Sequence, residues 1–504
     1  MPDLIQLLTV ENTTSRKNKS VWEHLVFVLQ VANKGYDKQV DILWQTGDGR
    51  WQVLPAEYLS GRSDGQEYWQ AHLSLENDQP HLLINNGKRT KGARRPLRGY
   101  VRFAARLSCN GQEYWDNNDG DNYLSLPNSG IMLAHRIALQ NLSLINVLDV
   151  GQRWISLKVA VNAWFAADRV TLHWTIDNWL TSRQSKCRKN KPRKHSHTEI
   201  WTARLKIGDA FKLQFAISAS NSQHEVWDNN GGGNYVVAHE PLKVMILNLH
   251  CYQEDQQDRK LSLIAKVIDE LAVDVVCFQE VAEHWNSGQG DWDSNAVNII
   301  NQRLKQSMWL YTDWSHLGFD KYREGVAILS RFPFLDTRSR YVSDSHEIFS
   351  IHSRKVVMAR IQPPYFGNIN IYSAHLSWIE DGFQQQFQRL RDWAAELRQS
   401  VADTTLLCGD FNVSAGSIGY RLVVASGGYE DQYLAANARG LFEKIYRVSE
   451  PHWWDYPRDD YRIDYIFKNH DSALSVISAR VLFTESDYGQ VSDHCGYLMT
   501  FEPK

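Results

Sequence analysis

The stretch Thr404–Asn412, TTLLCGDFN, decides how the second half of the chain is interpreted. A short apolar run ahead of the turn-forming Gly409 predicts a buried strand that ends there. Side chains alternate along an extended segment, so Asp410 and Asn412 should point one way and Phe411 the other way, into the core. A polar group buried without a partner costs about 1–3 kcal/mol. We therefore expect the strand to end in a polar pocket, where the carboxylate can hold a water molecule or a metal ion.

The same pattern, an apolar run followed or flanked by a polar side chain, recurs along residues 242–504. The segment 259–272, RKLSLIAKVIDELA, has apolar residues at helical spacing, so strands and helices alternate in this region. Sheets bring their strand ends together, and polar groups at those ends can converge on one site. Any one of these residues alone is more often a cap or a surface group, so the prediction rests on the ordered set. The set comprises Asn248, Glu280, Glu324, His375, Asp410, Asn412, Asp464, Asp493 and His494.

The first half of the chain contains a repeat. Residues 103–123 read FAARLSCNGQEYWDNNDGDNY, and residues 215–235 read FAISASNSQHEVWDNNGGGNY. The two copies lie 112 residues apart, a domain-sized spacing that indicates tandem modules. The alternating β-branched and aromatic residues upstream of each copy predict β-sandwiches of about 100 residues. We therefore predict a multidomain chain. Its parts are an N-terminal tail (1–19), a first sandwich (20–125), a linker with a short central helix (126–146), a second sandwich (147–238) and an α/β domain (242–504).

Each copy of the repeat places a tryptophan beside several amides. An aromatic face can pack on the C–H groups of a sugar, and amides serve hydroxyl groups as donors and acceptors. Turn chemistry offers another interpretation, in which the Asp and Asn residues shape a turn and the tryptophan belongs to the core. The motif WDNN-x-G-x-NY, preceded by an F-A strand, resembles the starch- and glycogen-binding modules of glycogen-targeting phosphatase subunits and some amylases. This resemblance implies glycogen or another α-glucan as partner, bound through Trp115, Asn117, Asn118 and Asn122 in the first copy and Trp227, Asn229, Asn230 and Asn234 in the second.

Composition and charge narrow the classes of function. The net charge of −3 provides no basic field that would steer the chain onto nucleic acid, although nucleic acid is not excluded as a substrate. No apolar run approaches about 18 residues, the N-terminus lacks the basic region of a signal peptide, and the six cysteines form no Cys-x-x-Cys pair. We therefore expect a cytoplasmic protein with reduced thiols and no membrane span, and the patterns point to no protein partner. The basic segments 88–98 and 183–197 are expected to be solvated loops, with a phosphate-binding site as the alternative for the second.

The ordered motifs of the second half, N-L-H, F-Q-E-V, E-G-V-A-I-L-S-R, S-A-H-L, G-D-F-N, R-I-D-Y-I-F and S-D-H, resemble the endonuclease/exonuclease/phosphatase superfamily. The resemblance extends over residues 242–504. It implies a four-layer α/β sandwich, in which two mixed sheets pack face to face with helices outside. It also implies cleavage of phosphoester bonds with one or two Mg²⁺ ions, with Mn²⁺ as the alternative cation.

Phosphoryl transfer assigns roles to these residues by the same resemblance. Glu280 would ligate the cation with Asn248 beside it, and Asp493 would complete a metal site. Asp410 and Asn412 would orient the attacking water or a phosphate oxygen. His494, held by Asp464, would act as general base or phosphate-binding group. His375 is expected to pair with Glu324 and to protonate the leaving oxygen.

Longer stretches, such as LNLHCYQEDQQDRKLSLIAKVI and YTDWSHLGFDKYREGVAILSR, look like the bacterial maltose 6′-phosphate phosphatases of this superfamily. The implied substrate is a phosphorylated sugar, and the two N-terminal modules, which those enzymes lack, would tether the enzyme to the polymer and raise the local substrate concentration. Alternatives are a phosphodiesterase of the same fold, either a nuclease or a sphingomyelinase-like enzyme, and a non-enzymatic glycogen-binding scaffold. Further substrate contacts are predicted for Trp314, His316, Arg323 and Arg354.

Overall fold

Alternating apolar and polar residues run from Ile5 to Ala238 and fold into β-strands that bury their apolar faces. The structure, a computed structural model, describes residues 4–17, 20–35, 37–46, 49–77, 99–191, 196–286, 288–319, 321–426, 428–438 and 462–504. The basic segment 88–98 and residues 192–195 of the insert 183–197 lie outside these ranges. The first part of the insert is not the expected loop, because Arg183–Lys186 and Arg188–Lys189 are strands. The chain divides into two units, Met1–His239 and Glu240–Lys504.

The first unit contains two β-sandwiches. The strands of the first are β1 (Ile5–Lys17), β2 (Ser20–Val31), β3 (Gln39–Gln45), β4 (Gln52–Pro55), β5 (Glu57–Gly61), β6 (Glu67–Asn77), β7 (Val101–Cys109), β8 (Gln112–Asp116), β9 (Tyr123–Ser125) and β10 (Gly130–Leu133). Those of the second are β11 (Leu139–Asn141), β12 (Trp154–Asn162), β13 (Arg169–Thr175), β14 (Arg183–Lys186), β15 (Arg188–Lys189), β16 (Thr198–Lys206), β17 (Lys212–Ser220), β18 (Glu225–Asp228) and β19 (Tyr235–Ala238).

The two sandwiches share one layout. In the first, the sheet β10-β1-β2-β6-β5 faces the sheet β4-β3-β7-β8, with β9 also paired to β7. In the second, β11-β12-β16-β15 faces β14-β13-β17-β18, with β19 paired to β17. The repeated sequence therefore has a repeated structure, since Phe103 stacks on Tyr123 as Phe215 stacks on Tyr235.

Two predicted boundaries are wrong. The expected N-terminal tail, 1–19, contains β1, which pairs with both β2 and β10. The expected linker, 126–146, contains β10 and β11 and no helix among its described residues. The pairing of β1 with β10 joins residues far apart in the sequence, such as Thr9 and Leu133, so local patterns do not show it.

Packing between the two sandwiches accounts for a sequence difference between the two repeat copies. Asp119 and Asp121 of the first copy are replaced by Gly231 and Gly233 in the second. The turn after β5 lies against this second loop, so a Cβ on Gly231 would lie 2.4 Å from the Asp64 side chain and a Cβ on Gly233 would lie 2.3 Å from Ser63 Cβ. Small residues are therefore required where one sandwich packs on the other.

The second unit has two sheets that pack face to face. Its strands are β20 (Leu242–Asn248), β21 (Val275–Asn286), β22 (Gln289–Gly290), β23 (Trp309–Gly318), β24 (Tyr322–Ser330), β25 (Asp336–Tyr341), β26 (Lys355–Ile361), β27 (Ile369–His375), β28 (Thr404–Asp410), β29 (Tyr429–Asp431), β30 (Asp464–Asn469), β31 (Leu474–Leu482) and β32 (Gly496–Pro503). Its helices are α1 (Gln257–Glu270), α2 (Ala296–Arg303), α3 (Phe383–Leu397), α4 (Ile418–Ser426) and α5 (Gln432–Ala438).

Both sheets of this unit are mixed. One has the order β23-β24-β21-β20-β32-β31 and the other the order β25-β26-β27-β28-β30-β29, with a parallel pair at the centre of each. Helices α1 and α2 cover the outer face of the first sheet, and α3 covers the outer face of the second with Phe387, Leu390 and Trp393. The expected order of layers, helix, sheet, sheet and helix, is present.

Candidate active site

The strand order places the predicted residues at one edge of the paired sheets. In β27, β28 and β30, His375, Asp410 and Asp464 are direct neighbours in register. In the facing sheet, Asn248 ends β20 beside Gln279 of β21, one residue before Glu280. The clustering predicted from strand ends is therefore a consequence of parallel pairing at the centre of each sheet.

Local backbone geometry aims these side chains. Glu280 lies at a bulge in β21, between Phe278 and Val281, and adopts a left-handed φ of 47°. Strained backbone of this kind persists where the surroundings enforce it and concentrates at functional sites. At Gly409, φ is 128° and a Cβ would lie 2.1 Å from the carbonyl oxygen of Ala374. Glycine alone therefore lets β28 approach β27 closely enough to place its terminal carboxylate.

Asn248 joins the carboxylates of the two sheets. Its Nδ2 donates to Glu280 Oε1 (2.8 Å) and to Asp410 Oδ2 (3.1 Å), while its Oδ1 accepts from the backbone N–H of His250 (3.1 Å). The amide nitrogen faces the carboxylates in this arrangement. Asn248 therefore orients Glu280 and Asp410, whereas the sequence assigned it a place beside the metal as a ligand.

His494 is held by Asp464, as predicted. Its Nδ1 lies 2.8 Å from Asp464 Oδ2, and its Nε2 lies 3.8 Å from Asp410 Oδ2 and 3.9 Å from Asp493 Oδ1. Burial acts to lower the pKa of His494, but Asp464, then Asp410 and Asp493, raise it well above its usual value. The ring is therefore suited to carry a positive charge against a phosphate oxygen.

His375 has the opposite environment. Arg354 Nη1 donates to its Nδ1 at 3.2 Å, so the neutral ring carries its proton on Nε2. That nitrogen lies 3.7 Å from Asp410 Oδ2 and 3.9 Å from Glu280 Oε1. Burial, followed by Arg354 and His494, lowers the pKa of His375 well below its usual value. A neutral imidazole that donates into the carboxylate cluster is the state this geometry favours.

The prediction that Glu324 pairs with His375 is wrong. Glu324 Oε1 lies 3.7 Å from Nε2 of His316, whereas the contacts of His375 are with Arg354, Glu280 and Asp410. His316 and Glu324 belong to the antiparallel strands β23 and β24 and face each other across that pair. Burial, helped by the Glu280 carboxylate, raises the pKa of Glu324 to about 7, and burial with Arg354 lowers that of His316 to about 4.

The donor set fits a divalent cation. Burial, followed by Asp464, raises the pKa of Asp410, and Asp464 Oδ1 is buried without a hydrogen-bond partner among the described residues. Buried carboxylates that are short of positive partners are stabilised by a hard cation bound through oxygen. Three groups bring potential ligand atoms within 4.8 Å of one another: Glu280, His375 and Asp410; Asp410, Asp464 and His494; and His250, Glu254 and Asp493.

All of these residues except Glu254 line one cavity of about 550 Å³. The predicted residues in its walls are Glu280, His316, Glu324, Arg354, His375, Asp410, Asn412, Asp464, Asp493 and His494. Trp314 and Arg323 are not among the lining residues; Arg323 lies over the Trp314 ring and pairs with Glu283. Sequence reasoning missed His250, Phe319, Ile351 and Trp378, although the motif N-L-H already contained the first of these.

In the GDFN segment, the predicted alternation is realised in part. Phe411 is fully buried, while Asn412 has a left-handed φ of 51°. The backbone N–H of Asn412 donates to Asp410 Oδ1 (2.8 Å), and its Nδ2 donates to the carbonyl of Leu376 (2.9 Å). Asn412 therefore ties the end of β28 to the segment after β27 and still borders the cavity.

In the sandwiches, both motif tryptophans are exposed, 44% for Trp115 and 50% for Trp227, so neither is a core residue. Several loop amides instead support the turns, as the alternative interpretation expected. Asn117 Oδ1 accepts from Gly120 N–H and Asn118 Nδ2 donates to the Asn122 carbonyl. The second copy repeats both bonds, with Asn229 to Gly232 and Asn230 to Asn234.

The surroundings of the two tryptophans differ. Arg106, fixed by Asp41 and Glu113, lies over the Trp115 ring at 5.7 Å, beside a hollow of about 140 Å³. Trp227 borders a hollow of about 380 Å³. Its lining includes Asn229 and Asn234 and, beyond the predicted residues, His173, Trp179 and Arg183. His173 packs against the Trp227 ring, with ring centroids 4.5 Å apart, so the two copies differ chiefly in the size of the hollow beside the tryptophan.

Within the described part of the chain, no helix combines the length and apolar character needed to cross a membrane.

Comparison with known proteins bears on the second unit. No curated protein matches the chain. An endonuclease/exonuclease/phosphatase family protein from Leptotrichia buccalis C-1013-b is 26% identical over 52% of this chain and 99% of that chain, with a TM-score of 0.44. A mannosyl-6-phosphatase from Bacteroides thetaiotaomicron VPI-5482 is 17% identical over 52% and 99%, with a TM-score of 0.39. The human Nocturnin catalytic domain with bound sulfate is 20% identical over 53% and 94%, with a TM-score of 0.40.

The model of the Endonuclease/Exonuclease/phosphatase family matches residues 245–494, which include all the cavity residues from His250 to His494. Members of this family are hydrolases that act on phosphoester bonds. Residues 245–494 therefore constitute a domain of the endonuclease/exonuclease/phosphatase family.

Proposed function

We propose that the chain is a Mg²⁺-dependent phosphomonoesterase that removes phosphate from phosphorylated α-glucans. One observation carries this proposal. Three buried or half-buried acidic residues, Glu280, Asp410 and Asp464, share a single cavity with His494 and with Arg354. A site of this composition holds a cation and a phosphate together, as phosphoryl transfer requires.

Glu280 and Asp410 would hold the cation, with Asn248 fixing both carboxylates through its amide nitrogen. Their oxygen donors suit Mg²⁺, and Mn²⁺ can take its place. When bound, the cation supplies charge neutralisation for the phosphate and its leaving oxygen. Asp493 would contribute to a further group with His250 and Glu254.

The chain's own residues position the phosphate. Arg354 is buried, borders the cavity and has no carboxylate within ion-pair distance among the described residues, so its guanidinium is available to a phosphate oxygen. His494, kept in orientation by Asp464, presents Nε2 to the same space. Asn412 and Asp410 border the position where an attacking water would stand, and His375 donates from Nε2 toward the carboxylates.

The glucan part of the proposal rests on the first unit. Two exposed tryptophans with neighbouring amides support binding of glycogen or another α-glucan, and the hollow beside Trp227 is the larger of the two. Tethering would raise the concentration of phosphorylated substrate at the catalytic domain without altering its chemistry. The chain's net charge of −3 also favours a sugar phosphate over a polyanionic nucleic acid.

Phosphate release by the full chain tests the proposal. The panel is maltose 6′-phosphate, phosphorylated glycogen, sphingomyelin vesicles and plasmid DNA, each with Mg²⁺, with Mn²⁺ and with a chelator. The two sugar phosphates are followed by release of inorganic phosphate, sphingomyelin by release of phosphocholine, and DNA by strand cleavage. We expect cation-dependent release from the two sugar phosphates. Arg354→Gln should raise KM, and the exposed Arg340→Gln serves as a matched control. Cleavage of the lipid or of DNA in place of the sugar phosphates would contradict the substrate assignment.

A further inference from the structure

Three exposed apolar side chains border the same cavity as the catalytic groups. Phe319, Ile351 and Trp378 are 70%, 54% and 41% exposed, and each lines the cavity. They come from three separate segments: the turn between β23 and β24, the segment before β26 and the segment after β27. We call these three side chains the apolar rim.

Neighbouring residues extend this surface. Ile348 and Phe349 precede one rim residue, Ile379 follows another, and all three are at least 38% exposed. The backbone N–H of Leu317 donates to the carbonyl of Ile348 at 2.5 Å, which joins the segment before β26 to the end of β23. Clustered exposed apolar side chains on a soluble domain usually mark a binding surface.

The position of Trp378 is tied to the reacting groups. It lies three residues after His375, and the intervening backbone is anchored on both sides. Asn412 Nδ2 donates to the Leu376 carbonyl (2.9 Å), and Ser377 N–H donates to Gln386 Oε1 (2.9 Å). These bonds fix the backbone between the histidine and Trp378, so the indole starts from a defined position beside the phosphate site.

We propose that the apolar rim binds the leaving group of the substrate, and that this group is a sugar ring whose apolar face stacks on Trp378. This inference rests on the proposed phosphatase function and names the residue that sets its substrate specificity. A pyranose combines one apolar face with an edge of hydroxyl groups. The cavity has the same two characters, because the apolar rim adjoins polar lining residues that include Gln253, Ser414 and Asp493.

A lipid is the less favoured occupant. An acyl chain would cover the apolar rim but would leave the polar lining without hydrogen-bond partners, which is costly for groups removed from water. A cavity of about 550 Å³ also has the size of a small-molecule site. Volume and mixed polarity therefore both favour a sugar phosphate.

Steady-state kinetics of the full chain with Mg²⁺ test the assignment. The substrates are maltose 6′-phosphate and glycerol 3-phosphate. The second has no sugar ring that could stack on Trp378. For Trp378→Ala we expect KM for maltose 6′-phosphate to rise about 2- to 12-fold, the range of one aromatic contact, with kcat unchanged. Both constants for glycerol 3-phosphate should stay the same, and Trp378→Phe should restore most of the affinity.

Trp309→Ala is the matched control, because Trp309 is 55% exposed and is not among the cavity-lining residues. Equal losses on both substrates in Trp378→Ala would overturn the inference and assign the indole a structural role. Sphingomyelin vesicles serve as a third substrate, and a loss of turnover in Trp378→Ala on these vesicles alone would overturn the inference in favour of a lipid.

Failure of the proposed function can be told apart from failure of this inference. If the wild-type chain releases no phosphate from maltose 6′-phosphate, calorimetric binding of that compound to the full chain with Mg²⁺ decides the matter. Binding that weakens in Trp378→Ala but not in Trp309→Ala would retain the sugar site while the phosphatase function fails. Absence of binding to the wild type would overturn both.

Discussion

Gly233→Ala should loosen the packing between the two sandwiches. The residue has an ordinary φ, so the added methyl group imposes no backbone strain of the left-handed kind. Its Cβ would lie 2.3 Å from Ser63 Cβ, whereas carbon atoms in contact are about 3.5–4.0 Å apart. The turn after β5 would therefore have to move by more than about 1 Å.

The cost follows from what that movement breaks. Overpacking of this kind costs about 1–3 kcal/mol. Ser63 Oγ accepts from Gly233 N–H at 2.8 Å and donates to the Asn230 carbonyl, and Tyr68 OH donates to Asn230 Oδ1 at 3.2 Å. Each bond contributes about 0.5–1.5 kcal/mol. We expect the free energy of unfolding of the first unit to fall by about 2–4 kcal/mol in total.

Differential scanning calorimetry of the full chain measures this loss. For a unit of this size, about 2–4 °C of Tm corresponds to 1 kcal/mol, so the transition of the sandwiches should fall by about 4–16 °C. The equivalent substitution in the first copy, Asp121→Ala, should leave it unchanged, because Asp121 is exposed. Ser63→Gly should rescue Gly233→Ala in part, because it removes the Cβ that the methyl group meets but does not restore the hydrogen bonds of the Ser63 hydroxyl. An unchanged Tm in Gly233→Ala, or an equal loss in the Ser63→Gly background, would refute the reasoning.

Further predictions concern the catalytic domain and the sugar loops. Glu280→Gln and His494→Gln should abolish phosphate release while glycogen co-sedimentation is unchanged; loss of both would contradict the division of labour between the units. Trp227→Ala should weaken glycogen co-sedimentation more than Trp115→Ala, because the hollow beside Trp227 is larger, about 380 Å³ against about 140 Å³; equal effects would count against this difference. Mg²⁺ should raise the Tm of the second unit, and Asp410→Asn should remove that shift. In the presence of a chelator, Glu324, with its pKa raised from 4.5 to about 7, binds more protons folded than unfolded, so its contribution to stability falls as pH rises from about 4.5 to 7. Glu324→Gln should make the free energy of unfolding less dependent on pH, by at most one bound proton, which is about 1.4 kcal/mol per pH unit. Identical pH profiles of Tm for this variant and the wild type would contradict the prediction.

Local patterns in the sequence determined a large part of this protein. The repeat of WDNN-x-G-x-NY predicted two similar sandwiches, and both copies have the same stacked Phe–Tyr pair and the same loop bonds. In the second half, strand ends bearing Glu280, Asp410 and His494 predicted one polar site, and these residues do line one cavity. Such features are readable because a strand, a turn and an alternation of side chains are set by residues a few positions apart.

The partners across strands were decided by the tertiary structure alone. Glu324 faces His316 because β23 and β24 pair in a particular register, and a shift of one residue would have turned either side chain to the other face. The apolar rim gathers Phe319, Ile351 and Trp378 from three distant loops, and in sequence each is an isolated apolar residue. Gly233 is equally unremarkable until the turn at Ser63 packs on it. Contacts of this kind depend on how whole sheets pack, so no single stretch of the chain contains them.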